Sequence, residues 1–254
     1  VLRYTQTIQY INISFIVVSY FIVDVLILIF IMETPKINTN GFLLASFGDL
    51  STLTTLVDAE GFDVNSTDGN GRNALHLASR AGHENCISYL IEKGVDVNVL
   101  DRDGLTPLMH ATNFGNEPAA NLLIKKGGDC TITDKIGNHC LHGATSKGIL
   151  GLVQAIQSAG GDHNVENNAK VRPIHVAART GQIVILRHYI KNGVEIDAQD
   201  NAGNTALHLA SLCGFPLICK TLIDANADSG ITNGAGKSPK DVCMNSETSA
   251  IFAA

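Results

Sequence analysis

The 254-residue sequence predicts an all-α solenoid, a stack of helix–turn–helix units that each span 33 residues. Met109 takes the one remaining place in a 33-residue frame that four histidines share: His76, His142, His175 and His208. Alanine recurs two residues after each of these five positions, and glycine recurs in three further frames. One such unit cannot bury its own apolar face, so the units are expected to stack on one another.

The first segment, residues 1–31, differs from the rest of the chain because it contains no glycine, alanine or proline. The run 15–31 is apolar apart from Ser19 and Asp24 and approaches the length of a membrane span. Asp24 would cost about 2.5–3.5 kcal/mol inside a bilayer. Three alternatives stay open for this segment: translated leader sequence ahead of Met32, a membrane anchor, or a buried or fragmentary element.

The repeat domain is placed at residues 40–254. Residues 41–65 are expected to form an entry unit, in which Val57 falls 33 residues before Leu90. Residues 233–252 begin a last unit that stops partway through its second helix. Between them lie five full units, which start at Asp68, Asp101, Asp134, Asn167 and Asp200.

Within one unit, the local sequence predicts a turn followed by two helices. The turn 101–104 ends on Gly104, where a positive φ is needed. Thr106 then caps the first helix, and Pro107 occupies its first position. A left-handed glycine such as Gly82 ends that helix, and an amphipathic second helix follows.

The fourth turn breaks this pattern, because Lys170 stands where the other turns have glycine. A lysine in the left-handed region costs about 1–2 kcal/mol. We therefore expect the fourth turn to adopt an altered shape.

Four segments resemble the T-P-L-H-x-A signature of ankyrin repeats: Asn-Ala-Leu-His-Leu-Ala at 73–78, Thr-Pro-Leu at 106–108, Arg-Pro-Ile-His-Val-Ala at 172–177 and Thr-Ala-Leu-His-Leu-Ala at 205–210. The resemblance covers about residues 40–245. It implies an ankyrin-repeat α-solenoid with β-turn fingers, in which the in-frame histidines bond neighbouring backbone. It also implies that the chain binds other proteins through its turn tips and the concave face of its first helices.

Composition restricts the partner and the compartment. The net charge is −6, whereas a domain that follows nucleic-acid phosphates carries a basic stripe, so nucleic acid is not expected as a partner. The six cysteines show no C-x-x-C spacing and indicate reduced thiols in the cytoplasm or nucleus. These are Cys86, Cys130, Cys140, Cys213, Cys219 and Cys243.

Apparent catalytic motifs coincide with repeat positions. Residues 236–238 (Gly-Lys-Ser) resemble the end of a phosphate-binding loop, but Ile231 stands where that loop requires glycine. Residues 69–74 match a dinucleotide-binding pattern without a preceding strand. The sequence therefore predicts no enzyme activity and no cofactor.

The group His139, Cys140 and His142 suggests a metal site, but each member has a place in the repeat. His142 lies in the histidine frame, Cys140 replaces the first helical proline, and His139 replaces the capping threonine, where an imidazole can accept a bond. We predict no metal. Cys219 and Cys243 fall on core positions and are expected to face the core.

Once the framework positions are removed, cationic and apolar residues remain at the turn tips and first-helix ends. A basic groove with apolar anchors would suit an acidic segment of a partner, and the alternative is an ordinary solvated face. The candidates are Arg72, Arg80, Arg102, Leu105, Phe114, Lys135, Ile136, Lys147, Val171, Arg179 and Leu212.

Asn98 is a separate candidate. Leu90 followed by Asp-Val-Asn at 96–98 resembles the pattern at which asparaginyl hydroxylases modify ankyrin loops. The alternative is that Asn98 simply bonds its own backbone in the loop.

The predicted function is a non-catalytic interaction module, an adaptor, scaffold or inhibitor, that is monomeric and cytoplasmic or nuclear. One alternative is a membrane-tethered protein anchored by residues 15–31. The other is a fragment of a larger enzyme or of a ubiquitin-ligase adaptor, since ankyrin repeats are often appended to such proteins.

Overall fold

The computed structural model of the chain describes residues 39–253. The hypotheses on residues 1–31 therefore concern a segment outside the described residues. Within this range the chain forms thirteen α-helices and one 3₁₀ helix, without any β-strand. The helices pair into consecutive helix–turn–helix units, which confirms the predicted all-α solenoid. No helix among residues 39–253 is both long enough and apolar enough to cross a membrane.

Each full repeat contains a first helix and a second helix. The entry unit consists of α1 (Thr39–Phe47) and α2 (Leu50–Asp58). The exit unit consists of a 3₁₀ helix (Lys240–Val242) and α13 (Ser246–Ile251). The five full repeats follow in order: α3 (Ala74–Ala81), α4 (Glu84–Glu92), α5 (Pro107–Phe114), α6 (Glu117–Lys125), α7 (Cys140–Lys147), α8 (Leu150–Ser158), α9 (Pro173–Thr180), α10 (Ile183–Lys191), α11 (Ala206–Cys213) and α12 (Pro216–Asp224).

The first helices begin and end as the local sequence predicts. In α5 the Thr106 hydroxyl accepts the backbone N–H of Met109 at 3.1 Å, and Pro107 occupies the first turn. Gly115 ends the helix at φ 77°, and its N–H donates to the carbonyls of Ala111 and Thr112. The last turn of the helix thereby closes without leaving its carbonyls unpaired.

Six fingers connect the units: residues 68–72, 101–105, 134–138, 167–171, 200–204 and 233–237. The first residue of each finger is Asp or Asn, and its Oδ1 accepts two backbone N–H groups of the turn. Each finger also donates one N–H to the carbonyl of the preceding finger, as Lys135 does to Asp103 at 2.9 Å. The fingers therefore form one continuous ladder of backbone hydrogen bonds.

The in-frame histidines join each repeat to the next. Nδ1 of His208 accepts the N–H of Thr205 at 3.2 Å, and its Nε2–H donates to the carbonyl of Lys237 at 3.0 Å. His76, His142 and His175 make the same pair of bonds. This geometry requires the neutral imidazole with its proton on Nε2. The expectation that these histidines bond neighbouring backbone is confirmed.

The second repeat lacks this bridge because Met109 occupies the histidine position. The adjacent His110 instead donates from Nε2 to Asp101 at 2.8 Å, and both side chains are buried. Burial lowers the pKa of His110, so a neutral imidazole faces an ionised carboxylate. Burial opposes ionisation of Asp101, but hydrogen bonds from His110 and the backbone outweigh it and lower the pKa of that carboxyl. Asp101 thus joins its finger to α5.

The two terminal units depart from the 33-residue frame. Helix α2 lies 34 residues before α4, since Glu60 is an extra residue ahead of Gly61. The expected alignment of Val57 with Leu90 is therefore wrong, and Leu56 takes that place in the helix. In the exit unit the first helix shrinks to one 3₁₀ turn, and α13 begins three residues earlier than the frame predicts.

Three local expectations are corrected. Lys170 adopts φ 55°, and its finger keeps the standard shape, with a 2.8 Å bond from Lys170 N–H to the Asn167 carbonyl. The His139 imidazole does not cap α7, because its buried Nδ1 lacks a hydrogen-bond partner. Cys219 is fully buried as expected, whereas Cys243 is only partly buried.

Lys170→Gly should raise the free energy of unfolding by about 0.5–1 kcal/mol, because it relieves the left-handed strain but makes the unfolded chain more flexible. Urea denaturation measures the change. Gly236→Lys is the matched control: Gly236 has φ 71° with open space around it, so this change should destabilise by about 1 kcal/mol. A stability loss in Lys170→Gly would contradict the strain argument.

Stability should fall as the pH drops below 6.5. Burial, with the neighbouring His110, lowers the pKa of His76 to about 4, so in this range the unfolded chain binds a proton that the folded chain does not. His76 alone should cost about 2 kcal/mol between pH 7.5 and 5. Urea midpoints across this range measure the loss. His76→Met, which copies Met109, should flatten the dependence, and an equal slope in both proteins would refute it.

Candidate functional site

The helix-end candidates lie one per repeat in the last two positions of the first helices: Arg80, Phe114, Lys147, Arg179 and Leu212. The Arg80 guanidinium carbon lies 4.3 Å from the centroid of the Phe114 ring, which is the range of a cation–π contact. Phe114 is nonetheless 50% exposed. The two residues come from neighbouring repeats, so the contact joins α3 to α5 on the surface.

The next repeats continue this row. Lys147 is exposed, and its side chain lies beside Gly115, immediately after Phe114. Arg179 is exposed, and Leu212 is 49% exposed. The ion pairs among the described residues involve other cations, so none of them neutralises this row. The helix ends thus present cations interspersed with an aromatic and an aliphatic side chain.

The finger tips present Arg102, Lys135 and Ile136, all exposed. The finger ladder fixes the backbone of these residues, since Arg102 N–H donates to Asn70 and Lys135 N–H donates to Asp103, each at 2.9 Å. The Arg102 guanidinium also donates to the carbonyl of Gly69. Ile136 is 62% exposed at the tip, without a packing partner of its own repeat.

Three predicted candidates are less available. Arg72 is half-buried and donates through Nε and Nη2 to one oxygen of Asp68, the shorter contact being 2.7 Å. Leu105 packs against the core. Val171 is half-buried, and its carbonyl accepts the His142 bridge. These side chains support the fingers more than they offer contacts to a partner.

Sequence reasoning missed Arg172, which occupies the capping position of α9. Its guanidinium binds Glu166 at 2.8 Å and Glu195 at 2.5 Å. Burial opposes the charge, but both carboxylates raise the pKa of Arg172 above its ordinary value. The available signal was the replacement of the capping threonine by arginine at this position. The network stabilises the fourth repeat and leaves no free charge for a partner.

The group around His139 does not form a metal site. Both ring nitrogens of His142 are used by the bridge, and the Cys140 thiol lies 3.5 Å from the carbonyl of Cys130. The hydrogen bond with Cys130 and burial hold the pKa of Cys140 well above its ordinary value, which disfavours the thiolate that a metal would need. Residues 39–253 contain no cluster of three or more metal-binding side chains.

Asn98 joins its loop to the next repeat. Its Nδ2 donates to the carbonyl of Gly127 at 3.2 Å, and its Oδ1 accepts the N–H of Asp129 at 2.8 Å. The simple alternative, in which the side chain bonds its own backbone, is therefore wrong. Asp197 accepts the equivalent bond one hundred residues minus one later, from the N–H of Asp228 at 2.9 Å.

Comparison with known proteins agrees with this architecture. A family profile described as "Ankyrin repeats (3 copies)" matches residues 42–134 and 141–233, which together make up most of the chain. Proteins of this family are in general protein–protein interaction modules, and most such domains are non-catalytic. None of the curated proteins matches the chain significantly.

Two solved structures show the same fold. The human ASB11 ankyrin repeat domain superposes with a TM-score of 0.77 at 24% identity, covering 87% of this chain and 97% of that one. The ankyrin repeat domain of Bcl-3, a member of the IkappaB family, gives a TM-score of 0.70 at 21% identity, covering 87% of this chain and 100% of that one. The histidine bridges, the finger ladder and the family profile agree: the chain belongs to the ankyrin repeat family.

Proposed function

We propose that this chain is a non-catalytic adaptor, scaffold or inhibitor that binds an acidic segment of another protein. The contact surface comprises the first-helix ends (Arg80, Phe114, Lys147, Arg179 and Leu212) and the finger tips (Arg102, Lys135 and Ile136). The observation that carries the proposal is the Arg80–Phe114 contact at 4.3 Å. A half-exposed aromatic ring with a guanidinium already on one face offers both an apolar anchor and an oriented charge.

The spacing of the row suggests the form of the partner. Packed helices lie roughly 8–10 Å apart, so successive repeats present their end residues at about that interval. An extended chain covers about 10 Å in three residues. Carboxylates at every third residue of an extended segment would therefore face Arg80, Lys147 and Arg179 in turn, with an apolar residue against Phe114.

The proposal also covers the setting of the protein. The six cysteines are all unpaired thiols, four of them buried, which suits a reducing compartment such as the cytoplasm or nucleus. The solenoid is proposed to act as a monomer, because its repeats bury their apolar faces against one another. A surface charge that captures carboxylates also raises the association rate at low salt.

Replacing the row should abolish partner capture without changing the fold. In Arg80→Ser/Phe114→Ala/Arg179→Ser each new residue is one that another repeat carries near the same place, namely Ser146 or Ala81. Capture of the partner by the full chain, followed by affinity purification and titration of the purified complex, should weaken at least about 30-fold, since exposed anchors of this type carry much of a binding energy.

The matched control is Lys125→Ser/Lys126→Ser, which removes two exposed lysines at the end of α6. It should leave both capture and thermal midpoint unchanged. A triple variant that binds as well as wild type would refute the surface, and one that unfolds at lower temperature would show that these residues support the fold instead.

Hydroxylation of Asn98 is proposed as a modification of the same domain. The loop would have to open at Asn98 for an enzyme to reach the side chain, because the amide bonds Gly127 and Asp129. Mass spectrometry of the native protein should find one added oxygen on Asn98. Unmodified Asn98 throughout would remove the proposal, and Asn164 in the equivalent place is an internal control.

A further inference from the structure

The elbows, where each first helix meets its second helix, contact one another along the stack. Phe215, at the start of α12, lies against Gly181, the residue that ends α9. Asn245, at the start of α13, donates from Nδ2 to the carbonyl of Gly214 at 3.4 Å. The elbows of the fourth repeat, the fifth repeat and the exit unit therefore form one continuous edge.

This edge carries exposed apolar side chains. Val184 in the first turn of α10 is 58% exposed, and Leu217 in the equivalent place of α12 is 55% exposed. Met244, the residue before Asn245, is 72% exposed. Burial of such side chains is worth about 1.5–3 kcal/mol each, so three in a row form a surface that favours a partner.

Cations accompany the apolar residues at one helical turn. Arg187 follows Val184 by three residues and Lys220 follows Leu217 by three, so each pair shares one face of its helix. Both cations are exposed, and the ion pairs among the described residues do not include them. On the other side of the row, Asp241 and Glu247 lie within three residues of Met244.

The first three repeats differ at both positions. They have Asn85 with Ser88, Pro118 with Asn121, and Gly151 with Gln154, so neither a large aliphatic side chain nor a charge appears. The framework does not demand Val184 and Arg187, or Leu217 and Lys220, since the same fold forms without them. The two changes occur together and only in the two repeats whose elbows adjoin the exit unit.

We propose that this elbow patch, formed by Val184, Arg187, Leu217, Lys220 and Met244, is a second docking surface that binds an amphipathic helix of another protein. The apolar face of that helix packs along Val184, Leu217 and Met244. Its carboxylates lie beside that face and meet Arg187 and Lys220. The charge arrangement favours one direction, with the partner's carboxylates at α10 and α12 and its cations near Asp241 and Glu247.

The probe is a phage-displayed library of random dodecapeptides, selected on the immobilised full chain and then titrated as synthetic peptides. The selected peptides should carry apolar residues at helical spacing (i, i+3 or i+4, i+7) with neighbouring carboxylates. Val184→Asn/Leu217→Asn, which restores the residue of Asn85, should weaken their binding at least about tenfold. Arg187→Ser/Lys220→Ser should weaken it several-fold and reduce its salt dependence.

Two control variants separate this surface from the first. Gln154→Ala changes the equivalent place in the third repeat and should bind these peptides as wild type does. Arg80→Ser/Phe114→Ala/Arg179→Ser should also retain them, so failure of the first-helix surface leaves this result unaffected. All substituted side chains of the elbow patch are exposed, and circular dichroism confirms that the variants fold.

Four outcomes would overturn the proposal. One is undiminished peptide binding in Val184→Asn/Leu217→Asn. Another is selection of peptides without an apolar periodicity. A third is a wild-type dimer in size-exclusion chromatography with light scattering that becomes monomeric in the same variant, because the occupant is then a second copy. The fourth is sedimentation with vesicles of phosphatidylcholine and phosphatidylserine that the variant loses, because the occupant is then an anionic membrane.

Discussion

The bond from a buried histidine to the backbone of the following repeat is the interaction on which the stack depends. It uses both ring nitrogens: Nδ1 receives the N–H at the start of its own helix, and Nε2–H reaches a carbonyl 23 or 29 residues further along the chain. One side chain therefore closes a helix terminus and joins two repeats. Because the bridge needs a neutral imidazole, burial and function of this residue are consistent only above the pH at which it would be protonated.

The second repeat shows what the solenoid requires when this bridge is absent. Met109 fills the space of the imidazole but offers no hydrogen bond, and the pair of His110 with Asp101 holds the finger by another route. His110 also packs edge-on against His76 of the preceding repeat, with ring centroids 5.3 Å apart. Since stability in a repeat stack is close to a sum of neighbouring interfaces, one altered interface is tolerated if its polar groups remain paired.

Periodicity predicted the repeats, their caps and the histidine bridges, because these features recur wherever the same local sequence recurs. It failed where contacts from elsewhere decide the conformation. Lys170 was expected to change its turn, but the bonds of Asn167 and of the neighbouring fingers hold the turn in place, and the lysine bears the strain. The charge of Arg72 looked free in the sequence, and only the fold shows Asp68 beside it. The extra Glu60 could not be located from spacing alone, since a one-residue offset moves no motif residue.

The framework also determines where new recognition surfaces can arise. Capping residues, bridging histidines and finger carboxylates are committed to backbone bonds, so a change at any of them affects a helix end or an interface. The last positions of the first helices and the first turns of the second helices have no such bonds. At these places neighbouring repeats carry unrelated residues, such as Phe114 beside Lys147, or Gly151 beside Val184. Stability and recognition therefore occupy different positions of the same unit, and one chain can hold two surfaces of different chemistry without a conflict between them.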